Sequence, residues 1–502
     1  MNLSLLLDRQ VQLRPDATAF VTAEKSLSFV ELARASAAVA GGLSHLGVVS
    51  GDRVAVMLPN VLPFPIAVYA IWRLGAQLVP INPLSKPQEV RHLLSDSKAK
   101  VLITLGQLLA PLSELVAELG IQAVAVGPAE SGTPFEHLFA ASPVHEPHLV
   151  AADDVVAVLY TSGTTGRPKG AMLTSRNLDY DSQACADALE MSASDRLYLV
   201  LPLFHAYGMT IGLLVCVRGG ASVFLEPRFV PNLALQHLKQ FECTAFLGVP
   251  ALFAALLSAS TPTSLHELRF CISGGAPLPV TVLEAFEQKF RTVILEGDGP
   301  TECSPVTSVN PLRGVRKAGT IGIPLTGQEM AIRDPLNGQF LADGEVGEIV
   351  VRGPNVFAGY LNLPEETAQV MRDGWYHTGD LGHRDADGYF SIVDRIKDLI
   401  IVAGLNVYAR EVEEVLQSHP QVRMAAVVGE YDSLRGEVVH AFVEKVPQSV
   451  PEDKELIRYC RERLAEYKCP RHITVLDELP RSTTGKILKR VLKEGLKGYP
   501  VT

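Results

Sequence analysis

Residues 160–170 read Tyr-Thr-Ser-Gly-Thr-Thr-Gly-Arg-Pro-Lys-Gly. Ser and Thr hydroxyls and two glycines precede a cation, Lys169, and the run follows the apolar stretch Val155-Val156-Ala157-Val158-Leu159. This order predicts a buried strand that opens into a loop of hydroxyls and bare backbone N–H groups. Glycine lets the backbone approach a ligand closely and clustered amides bind anions, so such a loop suits a polyphosphate. It is not the usual P-loop, because no Gly-Lys-[Ser/Thr] follows a glycine at the required spacing. Taken alone, the run is equally a flexible Gly/Thr turn.

Four further stretches hold residues able to do chemistry. They are Pro202-Leu203-Phe204-His205 and Glu296-Gly297-Asp298-Gly299-Pro300-Thr301-Glu302, then Trp375-Tyr376-His377-Thr378-Gly379-Asp380 with Asp394-Arg395-Ile396-Lys397-Asp398 after it, and finally Pro480-Arg481-Ser482-Thr483-Thr484-Gly485-Lys486. In this order the five stretches resemble the adenylate-forming superfamily of acyl-CoA synthetases, firefly-type luciferases and nonribosomal adenylation domains. The resemblance spans residues 25 to 490.

The resemblance implies a cosubstrate, ATP, with Mg²⁺, and coenzyme A as acceptor. Thr161, Ser162, Gly163, Thr164, Thr165 and Gly166 then close over the β- and γ-phosphates, with Lys169 as the cation. Thr301 touches the α-phosphate and Glu302 holds the metal; one carboxylate completed by nucleotide oxygens and waters suits magnesium. Gly275, Ala276, Gly297, Asp298 and Gly299 fall at nucleotide-contacting positions. Asp380 accepts hydrogen bonds from both ribose hydroxyls, as a carboxylate can, and Arg395 stands beside it. His205 lies near the acyl carboxylate. Lys486 bridges that carboxylate and the α-phosphate, where a fixed cation stabilises the charge built up in the transition state. Lys397 is the pivot between domains, and Gly404-Leu405-Asn406 lines the pantetheine tunnel. In one place the chain departs from the pattern. Asp298 stands where the family usually has an aromatic ring on the adenine, a stacking contact worth about 1–3 kcal/mol per base.

The acid being activated is read from what the walls lack. The segment Phe204-His205-Ala206-Tyr207-Gly208-Met209 has no acid to pair with a substrate amine, and residues 246–250 and 273–277 have no arginine for a second carboxylate. An amino acid or dicarboxylate is therefore disfavoured. Gly248, Gly274 and Gly275 are expected to leave room for a long apolar group. A medium- or long-chain fatty acid is the first expectation and a cinnamate-like aryl acid the second. Without an appended carrier domain, CoA is preferred over a carrier-protein thiol. A luciferase-like monooxygenase and a pure nucleotide binder are the remaining classes. Lys486, Glu302 and Asp380 argue against the binder, which needs no transition-state lysine.

The elements that must position these residues are legible from periodicity. Between residues 25 and 270, apolar runs such as 53–58, 78–81, 101–105, 123–126 and 221–225 alternate with helical patterns at 65–74 and 86–95. Strands alternating with helices indicate parallel βαβ units. From 316 to 395 glycine and proline become dense and the strands short, which predicts a compact antiparallel or barrel-like section. After residue 398 strands at 399–402, 425–428 and 438–443 and helices at 409–418 and 451–464 form a separate unit. The expected fold is thus α/β. A large N-terminal domain (1–396), with two αβ subdomains and a small β-barrel-like section, precedes a smaller, mobile α+β C-terminal domain (398–502).

Composition sets outer limits. The 502 residues carry a formal net charge of −10, which argues against nucleic acid as the main partner. Seven scattered cysteines without a Cys-x-x-Cys pair suit free thiols in a reducing compartment rather than a zinc site. The apolar stretch from 61 to 80 is interrupted by Pro63, Pro65 and Arg73 and falls short of a membrane span. The expected setting is cytoplasmic, without stable membrane insertion; the expected partners are a small carboxylic acid, ATP and CoA, and a homodimer is a compatible assembly.

Overall fold

The alternation of apolar runs with helices builds two sheets with parallel interiors. The computed structural model describes residues 2–162, 167–260, 264–432, 436–481 and 487–496; for Ser162 only the backbone is described. In the seven-stranded sheet the order is Thr133–Pro134, Gln122–Val126, Val101–Leu105, Arg53–Met57, Gln77–Pro80, Val155–Ser162 and Pro168–Thr174. Its central strand buries Val54, Ala55 and Val56 completely, as expected when helices such as Pro63–Arg73 and Pro87–Ser97 cover both faces of a parallel sheet. Only the last pair is antiparallel. There Val155–Ser162 and Pro168–Thr174 form a hairpin with Thr161 opposite Lys169 and Ser162 opposite Pro168.

The hairpin runs into the helix Ser175–Ala188 through a capping box. Thr174 accepts the Asn177 N–H at 3.2 Å, and the Asn177 amide donates to the carbonyls of Pro354 and Val356 at 2.7 and 2.8 Å. One cap therefore fixes the helix start and a distant loop together.

The nine-stranded sheet has a parallel interior of Ile294–Asp298, Phe270–Ser273, Ala245–Gly248, Arg196–Leu199, Ser222–Leu225 and Thr18–Val21, in that spatial order. Chain order reverses between Arg196–Leu199 and Ala245–Gly248. In open α/β sheets ligands bind beyond the carboxyl ends of strands at such a reversal. His205, Gly275 and Asp298 all lie at those ends.

Residues 329–395 form a five-stranded sheet in which Trp375–Arg384 pairs antiparallel with both Met371–Arg372 and Phe390–Arg395. A last sheet joins Leu405–Val407, Ile400–Val402, Gly436–Lys445 and Val422–Asp432, with His472–Leu476 parallel to Gly436–Lys445. The helices Ala409–Gln417 and Asp453–Arg461 bury Val412, Leu416, Leu456 and Cys460 in its core. By contact density the chain divides into two compact units, Met1–Met330 with Val351–Tyr376 and Ala331–Val350 with His377–Thr502. All seven cysteines are free and buried. Among the described residues no helix is long and apolar enough to cross a membrane.

Candidate active site

The first unit gathers the residues assigned to the phosphates and the metal. Thr161 and Lys169 face each other across the hairpin that carries the hydroxyl-rich loop. The Thr161 hydroxyl lies 3.4 Å from Oε1 of Glu302. Glu302 belongs to a single helical turn, Thr301–Cys303, that follows Ile294–Asp298 of the other sheet. A carboxylate from the nine-stranded sheet thus meets the hairpin of the seven-stranded one. Gly163, Thr164, Thr165 and Gly166 lie outside the described residues, as does Lys486.

Sequence reasoning passed over Tyr360. Its hydroxyl donates to Glu302 Oε1 at 2.7 Å, and its ring centroid lies 5.3 Å from the Lys169 ammonium. The signal for it was weak: a Gly-Tyr pair, then Thr367 seven residues on, with no charged or metal-ligating group among the three.

The turn that carries Thr301 and Glu302 is held from several sides. Phe357 N–H donates to the Glu302 carbonyl at 2.8 Å, the Ser304 hydroxyl to the Asn355 carbonyl at 2.8 Å, and the Thr210 hydroxyl to the Ser304 carbonyl at 2.9 Å. Just upstream, a Cβ on Gly299 would lie 1.7 Å from the Pro305 carbonyl oxygen, so only glycine fits. The Asp298 carbonyl accepts both the N–H and the hydroxyl of Thr307 at 2.9 Å, while its side chain is half-buried. Gly297 and Asp298 end one strand and Gly299 follows it, while Gly275 and Ala276 follow the neighbouring strand, so the structure brings these five positions to adjacent strand ends.

His205 caps the short helix Ala206–Met209 and is exposed. Its Nδ1 accepts the Tyr207 N–H at 3.3 Å. In the neutral ring the proton therefore sits on Nε2, which makes that nitrogen a donor. The loop before it hangs on Asn60, a second residue the sequence did not disclose. The buried Asn60 amide donates to the carbonyls of Leu199, Leu201 and Glu226 at 3.3, 3.0 and 3.3 Å, and its oxygen accepts Leu203 N–H at 2.9 Å.

Aromatic rings stand close to two of the wall glycines. A Cβ on Gly248 would lie 3.0 Å from the rings of Phe246 and Phe253, and one on Gly274 3.3 Å from the Tyr207 ring. These glycines make space for aromatic side chains already present. Among the described residues the buried Tyr207 and Ser273 hydroxyls have no hydrogen-bond partner.

In the second unit Asp380 and Arg395 are opposite each other in register, with Nε and carboxylate 2.8 Å apart. Thr378 anchors the turn, donating to the Ile349 carbonyl at 2.7 Å and accepting Asp380 N–H at 3.0 Å, while His377 Nδ1 lies 2.6 Å from Glu348. Lys397 is exposed in the one-turn segment Ile396–Asp398. Gly404 turns the hairpin between Ile400–Val402 and Leu405–Val407 with a φ of 82°. On either side of residues 482–486, Arg481 bridges Ile487. The buried Glu444 accepts Leu479 N–H and Arg481, each at 3.0 Å, and Lys489 pairs with Glu413 at 2.8 Å.

Residues 7–361 match the family model described as AMP-binding enzyme, and residues 411–486 match its C-terminal domain. The chain belongs to the AMP-binding enzyme family. A long-chain-fatty-acid–CoA ligase of Bacillus subtilis is 35% identical over 98% of this chain and 94% of its own. A feruloyl-CoA synthase of an Amycolatopsis species is 37% identical over 96% of each. ATP-bound MatB from Rhodopseudomonas palustris superposes with a TM-score of 0.93 at 32% identity, covering 99% of both chains. The AMP-binding enzyme fold and the adenylate-forming resemblance read from the five motifs agree, and the chain is an acid–CoA ligase.

Proposed function

We propose that this acid–CoA ligase activates a medium- or long-chain fatty acid in two half-reactions. First an oxygen of the fatty-acid carboxylate attacks the α-phosphorus of ATP and pyrophosphate leaves, giving acyl-AMP. Then the CoA sulfur attacks the acyl carbonyl and AMP leaves, giving the thioester. The observation that carries this reading is the convergence of Thr161, Lys169 and Glu302 at the base of the hydroxyl-rich loop. It is the composition needed for a metal-bound triphosphate: a cation, a carboxylate and hydroxyls.

Mg²⁺ fits this corner. Glu302 is 7% exposed and both hydroxyl contacts fall on Oε1. Among the described residues no group of three or more His, Cys, Asp or Glu side chains forms a metal cage. Magnesium is usually held by one or two carboxylates together with substrate phosphates. Bound there, it supplies charge neutralisation on the phosphates. Thr301 then holds the α-phosphate, Asp380 with Arg395 the ribose, and Gly275, Ala276, Gly297, Asp298 and Gly299 the rest of the nucleotide. His205 donates from Nε2 to the acyl carboxylate. Lys486 supplies the cation between carboxylate and α-phosphate. We place the pivot between the half-reactions at Lys397, and Gly404 beside the pantetheine arm of CoA. The seven free thiols support a cytoplasmic setting.

A second reading, an aryl acid, is favoured by the Tyr207 hydroxyl, buried and without a hydrogen-bond partner among the described residues. A buried polar group left unpaired costs about 1–3 kcal/mol, which a substrate ring hydroxyl would recover. A pyrophosphate-release screen over fatty, aryl and amino acids, with and without CoA, tests both. Turnover confined to fatty acids supports the first reading. Preference for hydroxylated aryl acids, lost in Tyr207→Phe, replaces it with the second. Turnover of amino acids defeats both.

A further inference from the structure

We propose that Tyr360 is a positioning residue that sets the two charged partners of the triphosphate together, holding the Glu302 carboxylate through its hydroxyl and the Lys169 ammonium over its ring. The inference rests on the reading of Glu302 as metal ligand and Lys169 as phosphate cation, and goes beyond it.

Tyr360 is built into the phosphate hairpin. It bridges Ala171 in antiparallel register, two residues from Lys169. Leu361 N–H donates to the Gly170 carbonyl at 2.8 Å, Met172 N–H to Gly359 at 2.9 Å, and Ala358 N–H to Met172 at 2.9 Å. Residues 358–361 thus extend the sheet beside Pro168–Thr174. The Tyr360 N–H is taken by the Thr367 hydroxyl at 2.8 Å. Phe357 fixes the ring edge-on at 4.9 Å and also donates its N–H to the Glu302 carbonyl.

The side chain is therefore oriented by a sheet edge, a hydroxyl and an aromatic neighbour before any ligand enters. A tyrosine hydroxyl is ordinarily protonated near neutral pH and can donate to a carboxylate. A hydrogen bond to one carboxylate oxygen leaves the other to face a cation, and a lysine held over a ring is attracted to its face within about 6 Å.

The test compares Tyr360→Phe, Tyr360→Leu and Glu302→Gln by pyrophosphate release, measuring the Mg²⁺ concentration for half-maximal rate and the KM for ATP at saturating Mg²⁺, with melting temperature as a check on folding. Tyr360→Phe keeps the ring and loses the hydroxyl. It should raise the Mg²⁺ requirement about tenfold or more, the worth of a hydrogen bond to a charged group, and leave the KM for ATP unchanged. Tyr360→Leu also loses the ring and should add a rise of about two- to fivefold in that KM. A lowered melting temperature or kcat with an unchanged Mg²⁺ requirement in Tyr360→Phe, while Glu302→Gln does shift it, overturns the role of Tyr360. An unchanged Mg²⁺ requirement in Glu302→Gln overturns the metal reading itself.

Discussion

Glu302 sits on a turn that leaves one sheet, meets the hairpin of another and is held by backbone bonds from Phe357 and by neighbours tied to Asn355 and Thr210. The stretch that carries Lys486 is framed differently. Its stem is closed by the isolated bridge of Arg481 to Ile487 and pinned by two ion pairs, Arg481 with Glu444 and Lys489 with Glu413. Both charges are assigned to the same triphosphate, yet Glu302 is woven into the interior of the large sheets, while the described flanks of the Lys486 stretch are tied within the second unit by these ion pairs, by the Leu488 N–H to the Pro480 carbonyl at 2.8 Å and by the packing of Leu479, Ile487 and Leu492. The proposed roles give this difference a reason. Charge that must be present whenever ATP is bound belongs in a preorganised corner that costs nothing to assemble at the moment of reaction. The cation that the proposal needs for only one half-reaction is carried instead between Arg481 and Ile487 of the second unit.

The sharpest way to break this contrast is Lys486→Ala. It should abolish acyl-AMP formation, by at least about a hundredfold, and leave conversion of supplied acyl-AMP to the thioester intact. Equal loss of both half-reactions in separate assays would sink the division of labour. Gly404→Val is the converse. The φ of 82° at the hairpin tip is one that β-branched residues avoid, and side-chain bulk there narrows the proposed tunnel. Thioester formation should fall severalfold with pyrophosphate release preserved, and a variant with normal thioester formation would remove Gly404 from the CoA path.

Asp298→Tyr tests the woven corner from within. Restoring a ring at the adenine should tighten ATP by up to about 1–3 kcal/mol, read as a lower KM. An unchanged KM would mean that Asp298 already makes a compensating contact. The smallest effect concerns the second unit alone. Burial holds the His440 imidazole below its ordinary pKa, and His472 adds to the lowering, against the upward pull of Glu430; the ring also meets Thr474 and Phe442. The unfolded chain therefore binds the proton more readily, and stability is lost as pH falls through the ordinary histidine value of about 6.5. Melting temperature should decline between about pH 7 and 5, and His440→Gln should flatten that slope.

What the sequence disclosed follows the same contrast. The parallel sheets were legible because two-sided burial writes continuous apolar runs such as Val54-Ala55-Val56. The hydroxyl-rich run stood out as a candidate because hydroxyls, glycines and a lysine are unusual together. Glu302 and Asp380 stood out as candidates through the residues around them. Tyr360 and Asn60 did not. A tyrosine and an asparagine are ordinary in composition, and their importance lies in partners 58 and more than 130 residues away in sequence. The aromatic filling beside Gly248 and Gly274 was also hidden, since a glycine written in sequence does not say which neighbour occupies the space it vacates.

The adjacent positions 298 and 299 have opposite freedom to change. At Gly299 any side chain would run into the Pro305 carbonyl, so the backbone there is closed to substitution. At Asp298 the main-chain carbonyl accepts both Thr307 bonds, and those two bonds do not depend on which side chain stands there. With Asp298 facing the base, as proposed, the Thr307 bonds that hold this turn survive an exchange of its side chain. Under that reading evolution has one position for retuning nucleotide affinity directly beside one that it cannot alter.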